Sequence, residues 1–86
     1  MKVILEPHTL IRAQERGASE TEILEVLNTG SEEKGEINRL KKSIIFDFKS
    51  YRLGKYYEQK KIDVIFVKEQ ENIITITVYV FYGKWN

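Results

Sequence analysis

A histidine, an arginine, a glutamate and a second arginine stand at positions 8, 12, 15 and 16. Spacings of three, four and eight return to one helix face, so these four side chains form a single stripe. Further along, Tyr56-Tyr57-Glu58-Gln59-Lys60-Lys61 places six large polar or amphipathic residues in a row. A third group, Tyr79-Val80-Phe81-Tyr82-Gly83-Lys84-Trp85, is aromatic with one base. Cleavage of RNA without a metal needs a group to activate the 2′-hydroxyl, a group to protonate the leaving oxygen, and positive charge on the phosphate. Histidine, glutamate, lysine and tyrosine transfer protons when their pKa is tuned, and arginine and lysine stabilise the developing charge. On this reading His8 is the acid or base and Arg12 the bidentate phosphate clamp. Tyr57, Glu58, Lys61 and Tyr79 complete the candidate catalytic set. Arg16, Lys49, Arg52, Lys55, Gln59, Lys60, Lys84 and Trp85 are candidates for holding nucleic acid by charge, hydrogen bonding and stacking.

Each group has a structural use as well. Glu15 with Arg12 and Arg16 makes an ordinary ion-pair stripe on a solvated helix, of the kind that contributes only ~0.3–0.5 kcal/mol per pair. Tyrosines fill sheets well. Glu58 and Lys60 share the parity of the core face and can pair with each other or with Arg12, and an aromatic tail can simply cover a thin core.

The remaining composition narrows the function classes. There is no cysteine, hence no disulfide and no thiolate zinc site. A single histidine argues against a histidine-built metal centre, and no residue set calls for a cofactor. No apolar run approaches the ~20 residues that span a bilayer, and Met1 to Pro7 does not read as a secretory signal, so the expectation is a cytoplasmic protein with no membrane association. Net charge is +1, but it is unevenly spread. From Glu15 to Glu36 seven acids face two bases, and from Arg39 to Lys61 eight bases face two acids. That division points to an anionic partner for the second half, or to two surface fields that attract one another.

The elements that must position these residues fit one α+β domain over residues 1–86. Lys2 to Leu5 reads as a short strand. Pro7 suits the first turn of a helix, Leu10, Ala13 and Gln14 form its inner side, and Gly17 ends it. Ser19 and Glu22 make a capping box for a second helix, whose apolar stripe is Ile23, Leu24, Val26 and Leu27 and which Asn28-Thr29-Gly30 stops. Residues 31–42 are charged and poorly patterned and read as a loop. From Ser43 the period becomes two. Strands follow over the alternating Ile44, Phe46, Phe48 segment, over Lys55 to Lys68, where a bulge is expected, and over Ile73 to Tyr82, with turns at Ser50–Gly54 and Gln70–Asn72. The two helices are expected on one face of a three- to four-stranded antiparallel sheet. The other face would carry Asp47, Lys49, Tyr57, Gln59, Lys61, Asp63, Thr75, Thr77 and Tyr79, while Ile74, Ile76, Val78 and Val80 point to the helices.

Two stretches carry a family resemblance. His8-Thr9-Leu10-Ile11-Arg12-Ala13-Gln14-Glu15-Arg16-Gly17-Ala18-Ser19 is the first; Leu53-Gly54-Lys55-Tyr56-Tyr57-Glu58-Gln59-Lys60-Lys61, followed by Thr77 to Trp85, is the second. Together they resemble the bacterial and archaeal family known as domain of unknown function 4258. Its order of elements is similar to that of the RelE and BrnT toxins of toxin–antitoxin pairs. By that analogy of outline the chain is expected to be a toxin-type, metal-independent endoribonuclease, with RNA and an antitoxin-like protein as partners. No RelE catalytic motif can be placed residue by residue, and fold alone does not fix function. The competing expectation is a non-catalytic module that binds protein or RNA through the open sheet face. The oligomeric state is not legible.

Overall fold

A computed structural model of the chain describes residues 2–36 and 38–85. The order of elements is β1 (Lys2–Ile4), α1 (Pro7–Arg16), α2 (Glu20–Thr29), β2 (Ser31–Lys34), β3 (Leu40–Arg52), β4 (Lys55–Glu69) and β5 (Asn72–Gly83). The strands form one mixed sheet in the order β1-β5-β4-β3-β2, with β1 parallel to β5 and the other pairs antiparallel. No helix among the described residues is long and apolar enough to cross a membrane.

Local signals set both helices. Pro7 occupies the first turn of α1, where its missing N–H costs nothing. Gly17 closes the helix in the left-handed conformation, φ 96°. The Ala18 and Gly17 N–H groups donate back to the carbonyls of Ala13 and Gln14, at 2.8 and 3.3 Å, which is a Schellman ending. Ser19 then opens α2: its hydroxyl accepts from the Glu22 N–H at 3.1 Å and the Glu22 carboxylate accepts from the Ser19 N–H at 3.0 Å.

The core lies between the helices and one sheet face. Ile23, Val26 and Leu27 of α2 and Ala13 of α1 are buried with Ile62, Val64, Phe66 and Val78. The inward side of α1 is Thr9 and Ala13, with Leu10 packed against the core as expected, Arg16 half-buried and Gln14 exposed. This rotates the helix from the expected orientation and brings Arg16 toward the sheet.

Three features depart from the expected antiparallel sheet. The first is β1, which pairs in parallel with the start of β5. The second is β2, which forms within the stretch expected to be a loop. It pairs with Leu40–Ser43, so β3 also begins earlier than Ser43. Its two central cross-strand pairs are ionic: Glu33 lies 3.5 Å from Lys41 and Glu32 4.0 Å from Lys42. Charge complementarity rather than apolar alternation marks this exposed strand, and opposite charges facing one another favour its ladder.

The third is a frame slip in β5. Ile65 pairs with Thr77 and Phe66 with Thr75, which leaves Ile76 as an extra residue. Ile73 and Thr75 therefore face the helices before the slip, and Val78 after it. Thr75, expected on the open face, is fully buried. Its hydroxyl bonds that of Thr9 at 3.1 Å and accepts from the Glu6 N–H at 3.1 Å. A second irregularity, between Asp47 and Ser50, has Lys49 at φ 46°.

Candidate nucleic-acid interface

Two clusters collect most of the chemistry-bearing residues, one on each side of the sheet. The first seals the end of α1. The last carbonyls of a helix lack partners within it, and here three consecutive ones receive side-chain donors. Arg52 donates to the Glu15 carbonyl at 2.8 Å, the Tyr82 hydroxyl to the Arg16 carbonyl at 2.7 Å, and the Lys60 ammonium to the Gly17 carbonyl at 2.8 Å. Two of these donors are cations placed at the negative end of the helix dipole. Lys60, only 8% exposed, also meets the Glu22 carboxylate at 3.0 Å, which ties the end of α1 to the start of α2. Burial opposes the charge on Glu22, but the Ser19 N–H and Lys60 outweigh it and hold that carboxyl below its ordinary range. Burial pushes the Tyr82 hydroxyl up, against the pull of nearby Arg52.

The same cluster gathers aromatic rings. Phe48 and Tyr57 lie 5.1 and 5.5 Å from the Tyr82 ring, Arg52 stacks 5.1 Å over Tyr82, and Lys55 sits 5.4 Å over Tyr57. Tyr57 therefore does not share the open face with Lys61 and Tyr79. The extra residue at the Asp47–Ser50 irregularity coils the β3–β4 hairpin, and its far end turns toward the end of α1. At Gly17 the left-handed φ and the approach of Tyr82 both require glycine, because a Cβ there would collide with the Tyr82 hydroxyl. The donors of Arg52, Lys60 and Tyr82 are committed to main-chain carbonyls, so this cluster holds the fold together.

The second cluster lies on the face that the helices leave uncovered. Alternation along β3 and β4 brings Lys41, Ser43, Lys61 and Asp63 to this side, and β5 adds Thr77, Tyr79 and Phe81. At its centre Asp63 is 5% exposed. The Ser43 hydroxyl donates to Asp63 at 2.6 Å, and the Lys61 and Lys41 ammonium groups stand 3.7 and 3.9 Å from it. Tyr79 pairs with Asp63 across the ladder and Phe81 with Lys61. Both rings remain open, 44% and 48% exposed. Arg16 reaches this face from α1: it donates to the Val78 carbonyl at 2.7 Å, lies 3.5 Å from the Thr77 hydroxyl, and holds its guanidinium 5.2 Å from the centre of the Tyr79 ring. Beside Tyr79 is a recess of about 200 Å³ lined by Gly35, Glu36, Arg39, Ile65, Thr77 and Tyr79. The arrangement offers exposed rings for stacking and four cations around them, with one buried carboxylate beneath.

The proposed catalytic residues are thus dispersed. His8 is exposed at the first turn of α1, about 12 Å along the helix from Arg16 at 1.5 Å per residue. Arg12 is paired with Glu15 at 3.0 Å on the solvent side. Tyr57 is in the helix-end cluster and Glu58 is exposed. Only Lys61 and Tyr79 share the open face, where Arg16 joins them. Of the other binding candidates, Arg52, Lys55 and Lys60 belong to the helix-end cluster, while Lys49 and Lys84 are exposed. Gln59 accepts from the Trp85 N–H at 2.7 Å, which fastens the tail to β4.

Sequence reasoning passed over Arg39, Lys41, Ser43 and Glu36 as site residues because they fall in or beside the charged stretch read as a loop. The eight bases against two acids from Arg39 to Lys61 were the available signal for Arg39 and Lys41. Asp63 was placed on the polar face by its parity but given no role.

No match was found among curated proteins or among solved structures. The family described as domain of unknown function (DUF4258) matches residues 5–80, a span that includes both helices, the capped end of α1 and the centre of the open face. The chain belongs to that family.

Proposed function

We propose that this domain is an RNA-binding module that works through the uncovered sheet face. The observation that carries the reading is the exposed Tyr79 ring, with Arg16 stacked 5.2 Å from it and Lys61 and Lys41 beside the Asp63 that it pairs with. An exposed ring amid cations suits a splayed single strand, whose bases stack and whose phosphates seek charge. Phe81 extends the platform along the strand direction.

A fluorescein-labelled 12-nucleotide single-stranded RNA, followed by anisotropy, tests the reading. Base–aromatic stacking contributes roughly 1–3 kcal/mol, so Tyr79→Ala should weaken binding about tenfold or more. Lys61→Ala should weaken it and reduce the salt slope by roughly 0.7. Absence of binding by the wild-type protein at 100 μM, or indifference to Tyr79→Ala, would end the proposal.

A second reading, metal-independent cleavage on the same face, is favoured by the adjacency of Asp63, Lys61 and Tyr79. Asp63 would take the 2′-hydroxyl proton as that oxygen attacks phosphorus, and Tyr79 or Lys61 would protonate the departing 5′-oxygen. A denaturing gel of the same mixtures decides it: products ending in a 2′,3′-cyclic phosphate, lost in Asp63→Asn, are expected. Growth arrest on bacterial expression would accompany a toxin role.

A further inference from the structure

We infer that the recess beside Tyr79 is a base-reading pocket selective for guanine. The inference rests on the RNA-binding reading and names what that surface distinguishes. The recess measures about 200 Å³, about seven water volumes at roughly 30 Å³ each, which is the scale of one heterocycle. Ile65 and Thr77, paired across β4 and β5, line it together with Tyr79, Gly35, Glu36 and Arg39. Arg16 does not line it, so the contact of Arg16 with Tyr79 leaves the recess open.

Gly35, Glu36 and Arg39 are tied to one another through the main chain. The Gly35 N–H donates to the Arg39 carbonyl at 2.9 Å and the Arg39 N–H to the Glu36 carbonyl at 2.8 Å. These bonds use main-chain groups only, and Glu36 and Arg39 both line the recess. Neither side chain has an ion-pair partner within 4 Å among the described residues. Among the described residues they are the only charged ones lining the recess, one acid and one arginine.

That pair selects among the four bases. A carboxylate offers two acceptors and no donor. Guanine alone presents two adjacent donors, N1–H and the N2 amino group, on its Watson–Crick edge. Adenine and cytosine each set one amino donor beside a ring-nitrogen acceptor, and uracil sets one N–H between two carbonyls. Either arrangement turns an acceptor toward a carboxylate. On the neighbouring edge guanine presents O6 and N7, two acceptors that match an arginine fork. Glu36 on the first edge, Arg39 on the second and Tyr79 on the ring face therefore describe one ligand.

The test uses the whole domain and four labelled 12-mers: uridine throughout, or with a single central guanosine, adenosine or inosine. Inosine keeps N1–H and O6 but lacks the N2 amino group. The expected order of affinity is guanosine, then inosine, then adenosine and uridine, with guanosine at least tenfold above adenosine. Glu36→Gln should bring the guanosine-to-adenosine ratio below about threefold, since an amide replaces one acceptor with a donor. Equal affinity for the guanosine and adenosine strands, within twofold, would overturn the pocket while leaving general RNA binding in place. A guanosine preference that survives Glu36→Gln unchanged would also overturn it. Failure of every strand to bind would remove the pocket and the RNA reading together.

Discussion

Replacing Lys60 with methionine removes two bonds at once from the junction of the helices: the 2.8 Å bond to the Gly17 carbonyl and the 3.0 Å contact with Glu22. Methionine keeps most of the volume, so the change is chiefly electrostatic. A hydrogen bond to a charged group contributes about 1.5–3 kcal/mol. Loss of one member of a fully buried pair costs about 3–5 kcal/mol. Glu22, however, keeps 25% of its side-chain surface in water and retains the Ser19 N–H, so the lower part of that range is discounted further. The expected net loss is roughly 2–3 kcal/mol. For a domain of this size each kcal/mol moves Tm by about 4–8 °C, so the melting temperature should fall by roughly 10–20 °C. Urea unfolding followed by circular dichroism, on wild type, Lys60→Met, Glu22→Gln and the double variant, measures both the loss and the coupling.

Acid titration adds a second reading of the same junction. The Glu22 carboxyl is held below its ordinary value of 4.5 in the folded state, so its contribution is complete above that value and disappears as pH falls through the folded-state pKa. As pH falls below 4.5 the wild type should therefore lose stability that Glu22→Gln has already lost. A loss under about 0.5 kcal/mol in Lys60→Met, or additive single variants, would refute the claim that Lys60 joins the helices.

Two further outcomes follow from the packing. Thr75→Val leaves the buried Thr9 hydroxyl and Glu6 N–H without the oxygen they bond, and should cost about 1–3 kcal/mol in urea unfolding, whereas a neutral result would contradict the frame slip at Ile76. Asp63→Asn keeps the Ser43 contact but frees Lys41 and Lys61 from a carboxylate, so RNA affinity should rise several-fold and the salt slope should steepen by roughly 0.7 for each lysine that gains a phosphate. Unchanged or weaker binding by a folded Asp63→Asn protein would count against the open face as the binding surface.

The helices were legible because their ends are written locally. Pro7, Gly17 and the Ser19–Glu22 box act within four residues of the ends they define. β2 was not, because it depends on lysines that lie beyond a turn, and Ser31-Glu32-Glu33-Lys34 has no apolar alternation of its own. The slip in β5 was hidden for a different reason. Ile73-Ile74-Thr75-Ile76-Thr77-Val78 places β-branched residues at every position, so either frame satisfies the pattern and only the neighbouring strand selects one. The candidate site was half legible. Lys61 and Tyr79 followed from parity, and Arg16 was named as a binder. Its arrival over Tyr79, and the departure of Tyr57 to the other cluster, depend on how α1 and a coiled hairpin meet, and no local spacing encodes that meeting.

The three caps at the end of α1 also set an order of events in the cell. Their donors belong to residues 52, 60 and 82, all synthesised after the helix they close. A helix of 10 residues is marginal by itself in water. At about 5–20 residues per second, the 66 positions from Arg16 to Tyr82 take roughly 3–13 s to appear. A nascent chain halted within that interval presents α1 with an unfinished end, so translation must pass Tyr82 before that helix becomes permanent.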